Sequence, residues 1–176
     1  MGTSAVLMTK KDNKIKTLQY QSMDGYISGA GIGIFKNLKL ADIDNIKKKN
    51  IYYFDEQITQ ILKNNLNKRP SEVTIEIPPI LLLSCADVIE YLNETNQEKI
   101  GVIEYDYEWI EFENYLYIID FDENVFQIYE NHFSDYECKN CLKIGEITFK
   151  KFERICECKL DNLPSVKQFK NLVDID

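Results

Sequence analysis

The feature that most constrains this fold is Tyr115-Leu-Tyr-Ile-Ile119, five consecutive apolar or aromatic residues before Asp120. Side chains alternate along a strand, so Tyr115, Tyr117 and Ile119 share one face while Leu116 and Ile118 share the other. A strand apolar on both faces has to be central and covered on both sides. Around it, residues 99–130 are rich in Ile, Val, Tyr, Phe and Trp109, with turn chemistry at Asp122-Glu-Asn124. That combination predicts a meander of antiparallel strands. Residues 4–9 and 14–22 are two further β-prone runs separated by Lys-Lys-Asp-Asn, which predicts an N-terminal hairpin.

Helical signals fill the remainder. A glycine-rich stretch over residues 24–33 runs into Ile34, Phe35 and Leu38 at helical spacing. Phe54, Ile58, Ile61, Leu62 and Leu66 form a stripe on a helix starting near Asp55, which can cap its N-terminus, and Arg69-Pro70 marks the end. Residues 72–77 alternate Val73, Ile75 and Ile77 with polar neighbours and predict a half-buried strand. Ser84 and Asp87 resemble a cap for a helix carrying Val88, Ile89 and Leu92, and Leu163-Pro164-Ser165 opens a last helix with Val166, Phe169 and Val173 inward. The expected fold is a single α+β domain over residues 1–176. Its antiparallel sheet would combine the N-terminal hairpin with the 99–130 meander under three or four helices, and residues 132–176 would form a cysteine-bearing C-terminal subregion.

Composition narrows the function classes. The chain has 176 residues, of which 44% are hydrophobic and 28% charged, as in an ordinary globular domain. Its net charge of -8 argues against non-specific nucleic-acid binding, which needs a basic surface. The charge is unevenly spread: residues 1–69 carry 12 Lys/Arg against 6 Asp/Glu, residues 70–137 carry 1 against 17, and residues 138–176 carry 8 against 6. Carboxylates on a solvated face explain the middle segment, and so does a surface for a basic partner protein. No apolar run reaches the ~20 residues of a membrane helix, so no membrane partner is expected. Residues 4–9 are too short an apolar run for a signal peptide, and five cysteines with no export signal point to thiols in a reducing cytoplasm.

Two groups of residues could carry chemistry. Glycines before a helix can expose backbone amides to phosphate or carboxylate, although neither a Walker loop nor G-x-G-x-x-G is present. The glycines here serve either a tight turn and close packing, or a ligand loop made by Tyr20, Asp24, Gly25, Tyr26, Ser28, Gly29 and Gly31. Cys138 and Cys141 have zinc-knuckle spacing, and Cys156 and Cys158 would share one face of a strand, so four thiolates could hold a structural zinc. Unligated thiols and a redox pair are the other readings, and Cys85 sits in an apolar run as a small core residue. His132 is the only histidine and reads as a surface residue. Glu104, Asp106, Glu108, Asp120 and Asp122 fit a solvated strand face better than an acid pair or a cation site. Tyr105, Tyr107 and Trp109 read as core.

Met1-Gly-Thr3 before a short hairpin, followed by Tyr20-Gln-Ser-Met-Asp-Gly-Tyr26-Ile-Ser-Gly29-Ala-Gly31, resembles an uncharacterised family common in bacterial and phage genomes. Its members open Met-Gly-Thr-Arg and carry Tyr-x-x-x-Asp-x-Tyr-Pro-x-Gly-x-Gly, and the stretch from Glu113 to Asp122 with residues 125–129 resembles the family's later hairpin. Ser4 stands where Arg is usual and Ile27 where Pro is usual. The resemblance implies the genomic setting of a phage- or prophage-type accessory protein, a kind that often binds or inhibits host components. With thin enzymatic constellations beside it, the expected function is non-enzymatic binding of a host factor or a small nucleotide-like ligand, with inhibition of a host defence as one role. A small hydrolase using the glycine-rich loop and a zinc-stabilised protein-interaction module are the alternatives, and homo-oligomer formation stays open.

Overall fold

A computed structural model describes residues 2–104, 107–132 and 142–175. Among them the chain forms nine strands and five α-helices in one α+β domain. The main sheet has five strands: β1 (Ala5–Lys11), β2 (Lys14–Gln21), β5 (Tyr115–Asp120), β6 (Val125–Asn131) and β9 (Phe152–Lys159), in the order β2-β1-β5-β6-β9. As Tyr115-Leu-Tyr-Ile-Ile119 requires, β5 is the central strand, and Leu116, Tyr117, Ile118 and Ile119 are at most 1% exposed.

The sheet departs from the antiparallel expectation in one pairing, because β1 lies parallel to β5 with Ala5 opposite Tyr115 and Lys10 opposite Asp120. The reason is burial: Ala5, Val6, Leu7 and Met8 are 0% exposed, so β1 is also apolar on both faces and needs an interior position. A parallel neighbour requires a long crossover, and the intervening chain supplies one through most of the helices. The 99–130 meander is correspondingly interrupted. Its first strand, β4 (Lys99–Val102), leaves the main sheet and pairs in parallel with β3 (Asn50–Tyr53). A third small sheet pairs β7 (Leu142–Ile144) with β8 (Ile147–Phe149) across a turn where Gly145 takes φ +59°.

The two faces of the main sheet are covered differently. On one, α1 (Ile32–Leu40), α2 (Ile43–Lys48), α3 (Glu56–Leu66), α4 (Cys85–Glu94) and α5 (Val166–Leu172) pack over Ala5, Leu7, Tyr117, Ile119, Phe126 and Ile128. Phe35 of α1 stacks on Phe169 of α5 at 3.9 Å between ring centroids, above Phe126. The other face carries Val6, Met8, Leu116 and Ile118 under Ile110, Ile144 and Phe149.

Caps anchor several of these helices as their sequences suggest. Asp55 accepts from the Ile58 amide at 2.9 Å, Ser84 accepts from the Asp87 amide, and Ser165 with Gln168 forms a reciprocal capping box. Other expectations fail for tertiary reasons. The stripe on α3 is only partly used: Leu62 is 3% exposed, whereas Ile58 and Ile61 are 42% and 49% exposed. Residues 72–77 do alternate in burial, but among the described residues no strand pairs with them and no ladder forms. Trp109 lies in a 3-10 turn, Glu108–Phe112, that plugs Ile110 into the second face, with Tyr107 and Trp109 packed half-buried around it. Tyr105 and Asp106 lie outside the described residues.

Part of the acidic middle segment is built into this frame. Asp120 pairs with Lys10 at 2.7 Å and accepts from the amides of Asp122 and Glu123. Asp122 accepts from the amides of Asp12 and Asn13 at 2.8 and 2.9 Å, both left-handed residues of the β1–β2 turn. One carboxylate thus ties two hairpin turns together. Partial burial alone would raise its pKa, but the two amides, with Lys10 and Lys16, outweigh that and hold it below the ordinary 3.8. Because the folded value lies below the unfolded one, this contribution is complete above the unfolded pKa and disappears as pH falls through the folded pKa. Asp122→Ala should lower the unfolding free energy by about 2 kcal/mol at neutral pH. In urea titrations the gap between wild type and variant should narrow at about pH 2, and an equal gap at both pH values contradicts this role.

Candidate functional site

The glycine-rich segment is built directly onto the start of the sheet. The Gly25 amide donates to the Thr3 carbonyl at 2.8 Å. A Cβ at Gly25 would lie 2.6 Å from the Ser4 carbonyl carbon and 2.7 Å from the Ala5 nitrogen, so only glycine can lie this close to β1. Tyr117, from the middle of β5, donates its hydroxyl to the Gly25 carbonyl at 2.7 Å. Burial pushes that phenol well above its usual pKa and keeps it a donor.

The segment then closes on itself. Asp24 is left-handed at φ +57°, and its carbonyl accepts from the Ala30 amide at 2.9 Å. The Gly29 amide donates to the Tyr26 carbonyl at 3.0 Å, and a Cβ at Gly29 would sit 2.5 Å from the Asp24 oxygen. One π-helical turn, Ile27–Gly31, leads straight into α1. The amides of Gly29 and Ala30 are consumed inside the loop and that of Gly25 on Thr3, and the glycines serve close approach. What the loop turns outward is side chains. Tyr26 and Ser28 are exposed, and the Tyr26 hydroxyl donates to Asp24 Oδ1 at 2.9 Å. That hydrogen bond, reinforced by the Asp24 charge, raises the Tyr26 pKa.

Tyr26, Ile27 and Ser28 form one wall of a cleft of about 440 Å³ whose other wall is residues 172–175. Tyr115, Glu130 and Ile155 lie between. Tyr115 and Glu130 sit opposite each other on β5 and β6, and the Tyr115 hydroxyl donates to Glu130 Oε1 at 3.1 Å. Burial, then the Glu130 charge and hydrogen bond, raise the Tyr115 pKa. The cleft thus offers two phenol rings, a hydroxyl and a carboxylate beside the exposed side chains of Ile155 and Leu172. Its charged lining residues, Glu130 and Asp174, are both acidic. Such a site suits a flat ligand with N–H or O–H groups to donate.

The structure therefore brings Tyr26 and Ser28 to the cleft, puts Asp24 behind Tyr26, and uses Gly25, Gly29 and Gly31 as the loop's supports. Tyr20 goes elsewhere. It stands opposite Val6 on the second face, with its ring against Trp109 at 5.5 Å. Tyr115 and Glu130 carry no site signal in the sequence, and a hairpin counted outward from Asp122-Glu-Asn124 would set Tyr115 against Asn131; the observed register is shifted by one residue and pairs it with Glu130.

Of the expected zinc ligands, Cys156 and Cys158 are buried with sulfurs 3.9 Å apart, while Cys138 and Cys141 lie outside the described residues. No group of three or more metal-ligating side chains occurs among the described residues. Cys85 is fully buried, donates to the Gln19 carbonyl, and has its thiol pushed up to about 12 by burial. His132 is exposed and pairs with Glu153 at 2.7 Å.

Compared with known proteins, the chain matches no family model, no curated protein and no solved structure.

Two substitutions test how the loop is held. Gly25→Ala should cost about 3 kcal/mol because the added carbon meets rigid backbone. Tyr117→Phe should cost about 2 kcal/mol by leaving the buried Gly25 carbonyl without its donor. Urea unfolding measures both, and a loss below about 0.5 kcal/mol, the range of an inert surface change, contradicts the arrangement.

Proposed function

We propose that this chain is a non-enzymatic binding protein of the phage or prophage accessory type, and that the cleft between residues 26–28 and 172–175 receives a small nucleotide-like ligand. The observation that carries the reading is the convergence of Tyr26, Ser28, Tyr115 and Glu130 on one concave surface. A nucleobase can stack on either phenol ring, and Glu130 accepts from its amino or imino groups or from a ribose hydroxyl. The acidic lining favours the base and sugar over the phosphates. The Met-Gly-Thr opening and the Tyr20 to Gly31 stretch support the accessory type by resemblance. In that setting the ligand belongs to the host, and sequestering a host nucleotide signal is how such a protein would inhibit a defence.

Titration calorimetry with nucleosides, nucleotides and cyclic nucleotides tests this. At least one should bind, and Tyr26→Ala should weaken it about tenfold or more through lost stacking. Glu130→Gln should weaken it comparably, and the compound should be recovered unchanged. Absence of binding across the panel, or variants that bind as wild type, contradicts the reading, and turnover of the bound compound favours the hydrolase alternative.

The zinc-stabilised module has one observation in its favour. Tetrahedral zinc at about 2.3 Å from each sulfur separates its thiolates by about 3.8 Å, close to the 3.9 Å between Cys156 and Cys158. These two thiols face the helical layer. Elemental analysis of protein purified without added metal decides: about one zinc per chain supports the module, and none removes it.

A further inference from the structure

At the far end of β1 from the cleft, a second cavity of about 220 Å³ opens where the β1–β2 turn meets the end of α2 and the start of β3. Lys11, Lys16, Lys48 and Lys49 line it against one carboxylate, Asp12. Ile46 and Phe121, both buried, lie beneath them. We propose that this cavity binds a compact, multiply charged phosphoryl group, of the pyrophosphate or triphosphate kind, carried by a small molecule.

The first argument is charge. In a chain of net -8, four lysines line one concave surface, and an anion that enters it relieves the repulsion among their charges. Two of them are anchored without being neutralised. Lys11 Nζ donates to the Lys47 carbonyl and Lys49 Nζ to the Thr95 carbonyl, each at 2.6 Å. A neutral carbonyl fixes the side chain but leaves its full charge, and two N–H groups remain on each ammonium. Lys11 also offsets the negative end of α2, to which the Lys47 carbonyl belongs.

The neighbouring carboxylates are already committed. Asp120 holds Lys10, and Asp122 takes the amides of Asp12 and Asn13, with Lys10 at 3.9 Å. Asp12 itself is exposed on the rim, 3.4 Å from Lys16. Among the described residues Lys48 is exposed and has no carboxylate partner.

Size gives the second argument. At about 220 Å³ the cavity is smaller than the roughly 300–1,000 Å³ of pockets for whole organic ligands. It fits a phosphoryl group, with any attached organic part outside. Because Gly25 packs against Ala5 and Lys11 ends the same strand, the two sites are about 20 Å apart along β1. The inference therefore stands or falls independently of the cleft.

Titration calorimetry on the full chain, at low and at high salt, tests it with inorganic pyrophosphate, a nucleoside triphosphate, the matching nucleoside and sulfate. Pyrophosphate and the triphosphate should bind with similar affinity, and binding should weaken steeply with salt. Lys48→Glu, at an exposed position that folding tolerates, should reduce affinity about tenfold or more, and Lys49→Gln provides a second variant without charge reversal. Tyr26→Ala and Glu130→Gln should leave pyrophosphate binding unchanged, which separates this site from the cleft. Unaltered binding by both lysine variants, sulfate binding as tight as pyrophosphate, or no heat with pyrophosphate at low salt would overturn the proposal. Tighter binding of a short single-stranded DNA than of the triphosphate would overturn the small-molecule assignment.

Discussion

Everything in this molecule is arranged around a strand that tolerates water on neither face. Burying Leu116, Tyr117, Ile118 and Ile119 requires a strand on each side and a layer above and below. β1 meets the same demand, so the two lie side by side, and their parallel pairing obliges the chain between them to cross over the sheet. That crossover carries α1 to α4. In the middle of the strand the Tyr117 hydroxyl is polar, and its bond to the Gly25 carbonyl connects the core to the loop that walls the cleft. Sheet, helical layer and candidate site are consequences of one constraint.

Charge is organised by the same frame. Among the described residues the carboxylates of 70–137 are spread over several elements: Asp87 lies in the first turn of α4, Glu111 in the 3-10 turn, Glu130 on β6 and Asp120 with Asp122 at the β5–β6 turn. The last two are structural, pinning the β1–β2 turn through its amides and Lys10. Lys11, Lys16, Lys48 and Lys49 meanwhile line one cavity, and the two ends of β1 present different electrostatics. One end is aromatic and acidic, the other basic.

Local signals made much of this legible. Helices α1, α4 and α5 follow from apolar spacing, from Ser84 and Ser165 as caps, and from Phe169 as an inward residue, because those are properties of a few neighbouring positions. The placement of β5 follows from Tyr115 to Ile119 alone. Tertiary context decided the rest. The alternation over residues 72–77 is real in burial, but a strand also needs a partner, and none pairs with it among the described residues. Ile58 and Ile61 keep helical spacing but lie on a side of α3 that the core does not reach. The parallel pairing of Ala5 with Tyr115, 110 positions away, has no local signature. The candidate site divides in the same way: Tyr26 and Ser28 were visible as outward polar groups near glycines, whereas Tyr115, Glu130 and residues 172–175 join them only through register and chain path.

The account turns on a loop whose Gly25, Gly29 and Ala30 amides are spent within the fold, so that the side chains of Tyr26 and Ser28 are held in place from the core. Amide hydrogen exchange resolved by residue measures this directly. Gly25, Gly29 and Ala30 should exchange slowly in the wild-type protein and markedly faster in Tyr117→Phe, while the amides of α4 stay unchanged. Fast exchange at those three amides in the wild type, or no response to removal of the hydroxyl, would contradict it.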